Sequence, residues 1–293
     1  MITTHGEPPP DRLVTSIEDR RTTLLDVIRL ARSRITLSVF RCNDEGIFAE
    51  LAAASARGVT VEALITSRAK GGRKPLGKLW RALADAGALV NTYTDPVVKY
   101  HPKYLVADEG PAVVASLNFT RKCFRKTHDA LVVTYDPAVV SDLRRLWSAD
   151  RDRLPMPDDL TERLIIGPER ARRQFTALIA QARTSIRLID AKLSDPDLVS
   201  LLNERRAEGL TVEAFCSKRV GALKSHGKVM LVDDTTAVVG SVALAALSLD
   251  FRREVAIVVD DPSAVADAAE LFRNAREAMA QGPGAGAVGE ALC

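Results

Sequence analysis

Two of the four histidines stand two residues ahead of a lysine, and each opens the same long pattern. The first copy reads His101-Pro-Lys103-Tyr-Leu-Val-Ala-Asp108 and continues after six residues into Ala115-Ser116-Leu-Asn118. The second reads His226-Gly-Lys228-Val-Met-Leu-Val-Asp233 and continues, at the same distance, into Gly240-Ser241-Val-Ala243. Residues two apart in a strand project from one face, so each copy presents an imidazole beside an ammonium. Imidazole serves as nucleophile or general acid near neutral pH, and lysine supplies fixed positive charge. Two such pairs facing each other would clamp a phosphodiester. One histidine would attack phosphorus and form a phosphohistidine, while the other protonates the leaving oxygen. That second histidine would then deprotonate the water or alcohol that resolves the intermediate. Lys103, Lys228, Ser116, Ser241 and Asn118 would stabilise charge on the non-bridging oxygens. This chemistry calls for no metal and no cofactor. Asp108 and Asp233 lie an odd number of residues from their histidines, so they point to the opposite face and read as structural or supporting residues.

The paired pattern closely resembles the H-x-K-x4-D-x6-G-S-x-N signature of the phospholipase D superfamily. Leu249-Asp-Phe-Arg-Arg-Glu-Val resembles the cardiolipin-synthase and phospholipase branch. The resemblance implies an α/β fold of two pseudo-symmetric halves, each a mixed sheet flanked by helices, packed around one shared active site. It also implies an acidic residue after each motif that hydrogen-bonds a catalytic histidine, and Asp129 and Glu254 stand at matching places. In the family the histidine of the first motif is more often the nucleophile, which gives His101 that role and His226 the acid/base role. The symmetry of the pattern also permits the reverse. Two departures matter: Ala115 replaces the first glycine and Ala243 the second asparagine. Loss of one phosphate donor costs about 10²–10³ in rate, so Ala243 implies an asymmetric site with reduced or specialised activity.

An internal repeat supplies the elements that must position these groups. Ala56-Arg-Gly-Val-Thr-Val-Glu-Ala63 returns 151 residues later as Ala207-Glu-Gly-Leu-Thr-Val-Glu-Ala214. Farther along the shift is 125, matching His101 with His226 and Asp129 with Glu254. Helical periodicity marks 17–33, 46–57 and 138–150 in the first copy and 168–184, 195–208 and 263–279 in the second. Strands are expected at 35–40 and 60–66, then at 186–190 and 211–216. The first copy carries an added helix and strand within 67–100. The halves are therefore expected at 1–155 and 165–282, joined by a stretch at 151–167 and followed by a disordered tail at 283–293.

The added segment is basic, with Arg68, Lys70, Arg73, Lys74, Lys78 and Arg81, and a second basic run, Arg121-Lys122-Cys-Phe-Arg-Lys126, follows Asn118. Arg68, Lys70, Arg73, Lys74, Arg121 and Lys122 read as a rim that draws an anionic substrate inward. Phospholipid headgroups and nucleic-acid backbones both answer to such a rim. A deep apolar pocket beside the histidines would indicate lipid and a long basic groove nucleic acid. A phospholipid phosphodiester is the leading expectation, ahead of a nuclease and of a non-catalytic phosphodiester-binding module. The whole-chain balance, 41 Lys+Arg against 38 Asp+Glu with 46% hydrophobic residues, excludes disorder and does not by itself mark a dedicated polyanion binder, although an average can conceal a local basic face. No apolar leader and no stretch long enough to span a membrane are found, which gives the expectation of a cytoplasmic protein. Contact with an anionic membrane would be peripheral, and the chain is expected as a monomer or weak homo-oligomer. The four cysteines lack metal spacing and are expected as reduced thiols.

Overall fold

β-branched runs bounded by turn residues become the central strands, and the amphipathic stretches between them become covering helices in the computed structural model, which describes residues 8–68, 73–217 and 219–281. The first sheet has the strand order Arg12–Val14, Leu131–Thr134, Ala112–Ala115, Lys103–Ala107, Arg34–Val39, Thr60–Thr66, Leu89–Tyr93. The second runs Leu164–Gly167, Arg252–Val259, Thr236–Gly240, Val229–Val232, Ser185–Ile189, Thr211–Phe215, the same order without a counterpart of Leu89–Tyr93. Each sheet is mixed, parallel where a helix crosses over between neighbours and antiparallel elsewhere. The architecture is therefore two pseudo-symmetric α/β halves. The added segment forms the helix Arg73–Asp85 and the edge strand Leu89–Tyr93.

Helix starts repeat as well. Asp44 caps Glu45–Ala56 by accepting from the Gly46 and Ile47 amides, and Asp195 caps Pro196–Ala207 by accepting from Leu198. Arg21 holds Asp44 at 2.8 Å and Arg172 holds Asp195 at 2.8 Å, two ion pairs related by the 151-residue shift. Edge strands Arg12–Val14 and Leu164–Gly167 and the two-turn helices Arg121–Lys126 and Ala246–Phe251 are elements that periodicity does not reveal, because each is shorter than the window a period needs. The expected tail at 283–293 lies outside the described residues. Cys42 and Cys123 are free thiols, whereas Cys216 is disulfide-bonded, against the expectation of reduced cysteines throughout.

One hydrophobic cluster crosses between the halves, with Tyr104 and Trp147 from the first packed in the same core as Leu231 and Phe272 from the second. Charge crosses too. Arg253 is almost fully buried and its Nε donates to Asp150 Oδ1 at 2.8 Å, while its two terminal nitrogens reach Glu169 at 2.5 and 2.8 Å. Burial pushes the Asp150 carboxyl up to about 7, with Arg253 opposing. Removing one partner of such a pair leaves the other charge buried alone, so Arg253→Met is expected to lose about 3–5 kcal/mol in denaturant unfolding. Arg253→Met combined with Asp150→Asn should recover part of that loss.

Candidate active site

The backbone stitches the two halves together at the histidines. Lys99 and Tyr100 pair in parallel with Arg252 and Arg253, and the His101 amide donates to the Arg253 carbonyl at 2.9 Å. The mirror arrangement pairs Lys224 and Ser225 with Thr127 and His128, and the Gly227 amide donates to the His128 carbonyl at 2.6 Å. A Cβ at residue 227 would lie 2.4 Å from that carbonyl, so only glycine admits this approach. Each histidine is thus laid beside the strand that begins the other half's acidic residue.

Consequently the carboxylates act across the interface. His101 Nδ1 donates to Glu254 Oε2 at 2.9 Å, and His226 Nδ1 stands 3.1 Å from both oxygens of Asp129. In each imidazole this leaves Nε2 on the side away from the carboxylate. Lys103, buried, donates to the His101 carbonyl at 2.6 Å and lies 3.1 and 3.4 Å from the ring nitrogens. Lys228 donates to the His226 carbonyl. Phe40 closes one side of His101 edge-on, with ring centroids 4.3 Å apart. Asn118 Nδ2 lies 3.4 Å from His226 Nε2, and Asn118 Oδ1 is buried without a partner.

Burial dominates the protonation states. It pushes His101 down to about 3, with Glu254 opposing and Lys103 and Lys228 adding to the depression, so this imidazole is neutral at neutral pH. Burial alone would raise Glu254, but its pairing with the His101 ring and the nearby Lys103 ammonium outweigh it and the carboxylate stays ionised. Asp129 is likewise held low against its burial by His226, Thr127 and Lys228. Burial pushes Lys103 down to about 7, Glu254 opposing and Lys228 adding. A lysine lowered this far is charged below that pH and neutral above it. We therefore expect kcat/KM for a phosphodiester to fall as pH rises through about 7 and to show no loss from His101 down to about 3. Lys103→Arg should move the alkaline limb upward, and an unmoved limb would assign it to another group.

The family model described as "Cardiolipin synthase, PLD-like domain" matches residues 24–151 and 216–276, which include both histidine motifs. The chain belongs to the phospholipase D-like family. Among solved structures it is similar to the polyphosphate kinase of Porphyromonas gingivalis, with a TM-score of 0.73 and 19% identity over 91% of this chain and 47% of that one. It thus spans about half the length of that kinase. It is also similar to phosphatidylserine synthase from Haemophilus influenzae Rd KW20, with a TM-score of 0.69 and 13% identity over 93% of this chain and 86% of that one. At these identities the two structures show the shared fold. No match is found among curated proteins. Family and fold together place both histidine motifs within a phospholipase D-like domain.

Within this phospholipase D-like site both motif serines are fully buried. Ser116 Oγ is fully buried and donates to Asp129 Oδ1 at 2.7 Å, and Ser241 Oγ accepts from the Val255 amide at 3.0 Å. Both hydroxyls bond the strands that carry the carboxylates. Asp108 and Asp233 are structural. Each has a positive φ, 42° and 55°, and its carboxylate accepts the backbone amides of residues 32–34 or 183–185, closing the turn from helix to strand. Neither reaches a histidine. Arg68 is exposed and braces a loop by donating to the carbonyls of Asp95, Pro96 and Val98. Lys74, Arg121 and Lys122 are exposed, Lys70 lies outside the described residues, and of Arg73 only the backbone is described. Tyr93, Tyr100 and Phe124 are core, while Trp80 is 45% exposed.

Several neighbours of the site escape motif reading. Thr127 Oγ1 donates to Asp129 Oδ2 at 2.6 Å and Ser248 Oγ to Glu254 Oε1 at 2.9 Å. Ser248 also accepts the Ala243 amide at 2.9 Å, so the residue that replaced asparagine is fixed by its backbone. Further cations gather here: Arg41 and Lys99 over Phe40, Arg252 near Glu254, and Lys192, whose ammonium is weakened by burial and by Lys228. The repeat held a signal for them, since Arg41 maps to Lys192 at the first shift and Lys99 to Lys224 at the second. Cys123, Asp129 and His226 each offer a ligand atom within 4.8 Å of one another. Burial raises the Cys123 thiol, which keeps its proton, and both Asp129 oxygens are already engaged, so this trio is a poor metal site.

Proposed function

We propose that the protein is a metal-independent phosphodiesterase of the phospholipase D type, cleaving or transferring a phosphodiester through a phosphohistidine on His101. The observation that carries this reading is the crossed pair of imidazoles, each fixed at Nδ1 by a carboxylate from the other half with a lysine beside it. His101, neutral and half-buried, has Nε2 available for attack on phosphorus. His226, more exposed and facing Asp129, protonates the leaving oxygen and later removes the proton from water or an alcohol. Lys103, Lys228 and the Asn118 amide take the charge on the non-bridging oxygens. Glu254 and Asp129 hold each ring in one tautomer and support its charged form during turnover.

A phospholipid is the preferred substrate and a nucleic acid the second reading, which a basic groove beside His226 favours. No described helix is long and apolar enough to cross a membrane, so a lipid would be met at a surface, and we place the protein in the cytoplasm as a monomer or weak oligomer. The test is incubation with bis(p-nitrophenyl) phosphate, phospholipid vesicles and single-stranded DNA, with and without chelator. Chelator-resistant turnover is expected, with vesicles preferred. Loss of activity on chelation would overturn the metal-independent mechanism, and no turnover of any of the three would leave a binding module.

A further inference from the structure

Arg20, on the helix Ile17–Leu30, is 1% exposed, yet its guanidinium forms no ion pair among the described residues. Its hydrogen bonds go to backbone carbonyls instead. Nη1 donates to Thr127 at 3.0 Å and to Asp129 at 3.2 Å, Nη2 to Thr127 at 3.1 Å, and Nε to Ser16 at 3.2 Å. Carbonyls two apart on an extended backbone point to one side and the carbonyl between them to the other. Arg20 therefore takes one side of residues 127–129 and leaves the His128 carbonyl facing the second half, where it accepts the Gly227 amide at 2.6 Å. Burial lowers the pKa of Arg20, and the Asp129 carboxylate is the first group to oppose that shift.

The second half has no such residue. The 151-residue shift that matches Arg21 with Arg172 turns Arg20 into Ala171, a fully buried methyl. There Leu164–Gly167 runs beside Arg252–Val259 as far as Glu254, and the Gly167 backbone closes on the Arg252 carbonyl so tightly that a Cβ would stand 2.8 Å from it. In the first half the matching strand, Arg12–Val14, stops at Leu131, and the chain leaves the sheet to cap its helix at Ser16. The carbonyls of Thr127 and Asp129 lie beyond the end of that strand, and the Arg20 fork reaches them from the helix. A guanidinium suits the task, because its planar fork bridges two carbonyls and keeps its proton, whereas an ammonium is a single point. Desolvating a charge without a carboxylate of its own is costly, so the segment it grips is where its effect must lie.

Resting on the phosphohistidine reading, we propose that Arg20 is a positioning residue for the acid/base half of the reaction. It touches neither imidazole. By holding the carbonyls of Thr127 and Asp129 it fixes a segment whose three residues all serve His226. Thr127 donates to the Asp129 carboxylate at 2.6 Å, His128 accepts the amide of the residue after His226, and Asp129 faces the His226 Nδ1 at 3.1 Å. A shift of about 1 Å in such an arrangement costs on the order of 10²-fold in rate. The two steps feel that shift unequally. Nitrophenolate leaves His101-bound phosphorus without a proton, so formation of the intermediate does not call on His226. Breakdown does, because His226 must then take a proton from water as P–O forms and P–N breaks. Glu254, which holds His101, is fixed by the strand Leu164–Gly167 and is independent of Arg20.

The test uses the full chain, bis(p-nitrophenyl) phosphate and rapid-mixing absorbance, with Arg20→Met, Arg20→Lys, Asp129→Asn and each Arg20 change combined with Asp129→Asn. Arg20→Met is expected to lower steady turnover about 10²-fold while single-turnover release of nitrophenolate stays within about threefold of wild type. Arg20→Lys, which keeps the charge and loses the fork, should fall between. Added to Asp129→Asn, either change should cost less than about threefold more, because residues that act through one carboxylate do not multiply. Denaturant unfolding corrects both steps for the folded fraction, and if Arg20→Met does not fold, Arg20→Lys carries the same comparison. Equal loss in both steps after that correction, full multiplication in the combined variants, or unchanged steady turnover would overturn the assignment. So would a change confined to KM, which would place Arg20 with the basic groove of ≈ 820 Å³ that Arg121, Lys122, Arg125 and Lys126 line just ahead of Thr127. No turnover by the wild-type protein, or no burst from either His101→Asn or His226→Asn, sinks the reading beneath and this assignment with it; a contrary Arg20 result with that burst present sinks the assignment alone.

Discussion

His101→Asn is expected to lower turnover of bis(p-nitrophenyl) phosphate by at least about 10⁴-fold and to abolish any covalent intermediate. The reason lies in the division of labour between two chemically identical side chains. His101 is packed against Phe40, neutral, and held by Glu254 with Nε2 presented for attack. Asparagine keeps much of the volume and can still meet Glu254, but it offers no nucleophile. His226→Asn should behave differently. Nitrophenolate leaves without a proton, so this variant is expected to release about one nitrophenolate per enzyme in a burst and then stall, because no base remains to activate water. Rapid-mixing absorbance and acid quench measure both. A burst in His101→Asn and none in His226→Asn would exchange the two roles, while unchanged steady turnover in either would refute the two-histidine mechanism.

The second large effect follows from the crossed carboxylates. Glu254→Gln removes the anion behind His101, although Glu254 belongs to the second half and His101 to the first. A comparable loss behind a catalytic imidazole costs about 10⁴-fold in serine proteases, and a drop of roughly 10³-fold or more is expected here. Formation of the intermediate should slow. Asp129→Asn disturbs His226 instead and should slow its breakdown, leaving the nitrophenolate burst in place. The burst distinguishes these positioning roles from plain destabilisation, which would scale both steps with the folded fraction. A denaturant titration provides the control, since Asp129 also accepts from Ser116 and Thr127. If Glu254→Gln instead preserved the burst, the cross-interface pairing would not govern His101.

Much of this was legible along the chain. His and Lys two apart, twice, at one spacing from Asp, Ser and Asn, are a local pattern, and local patterns survive in one dimension. The repeat with its change of shift from 151 to 125 located the added helix and strand, because an insertion displaces everything after it. Asp129 and Glu254 were legible as a matched pair, but their partners were not. Sequence order suggests that each serves its own half's histidine, and only the parallel pairing of 99–100 with 252–253 and of 224–225 with 127–128 reverses that.

The serines mark the same limit. Ser116 and Ser241 belong to the motif, yet whether a hydroxyl faces a phosphate or a carboxylate depends on which strand lies next to it, and here those strands carry Asp129 and Ala130, and Val255. Arg68 reads along the chain only as one more positive charge, and its second role, bracing the loop at 95–98, appears only when the fold brings that loop to it. By itself the sequence determined the family and the fold class and singled out the side chains proposed to react, since residue type and spacing are enough for that. Tertiary structure decided which carboxylate holds which imidazole and which imidazole is the less exposed. Desolvation and hydrogen bonding act between atoms that meet in space, and the residues that meet here, such as His101 and Glu254, are 153 positions apart in the chain.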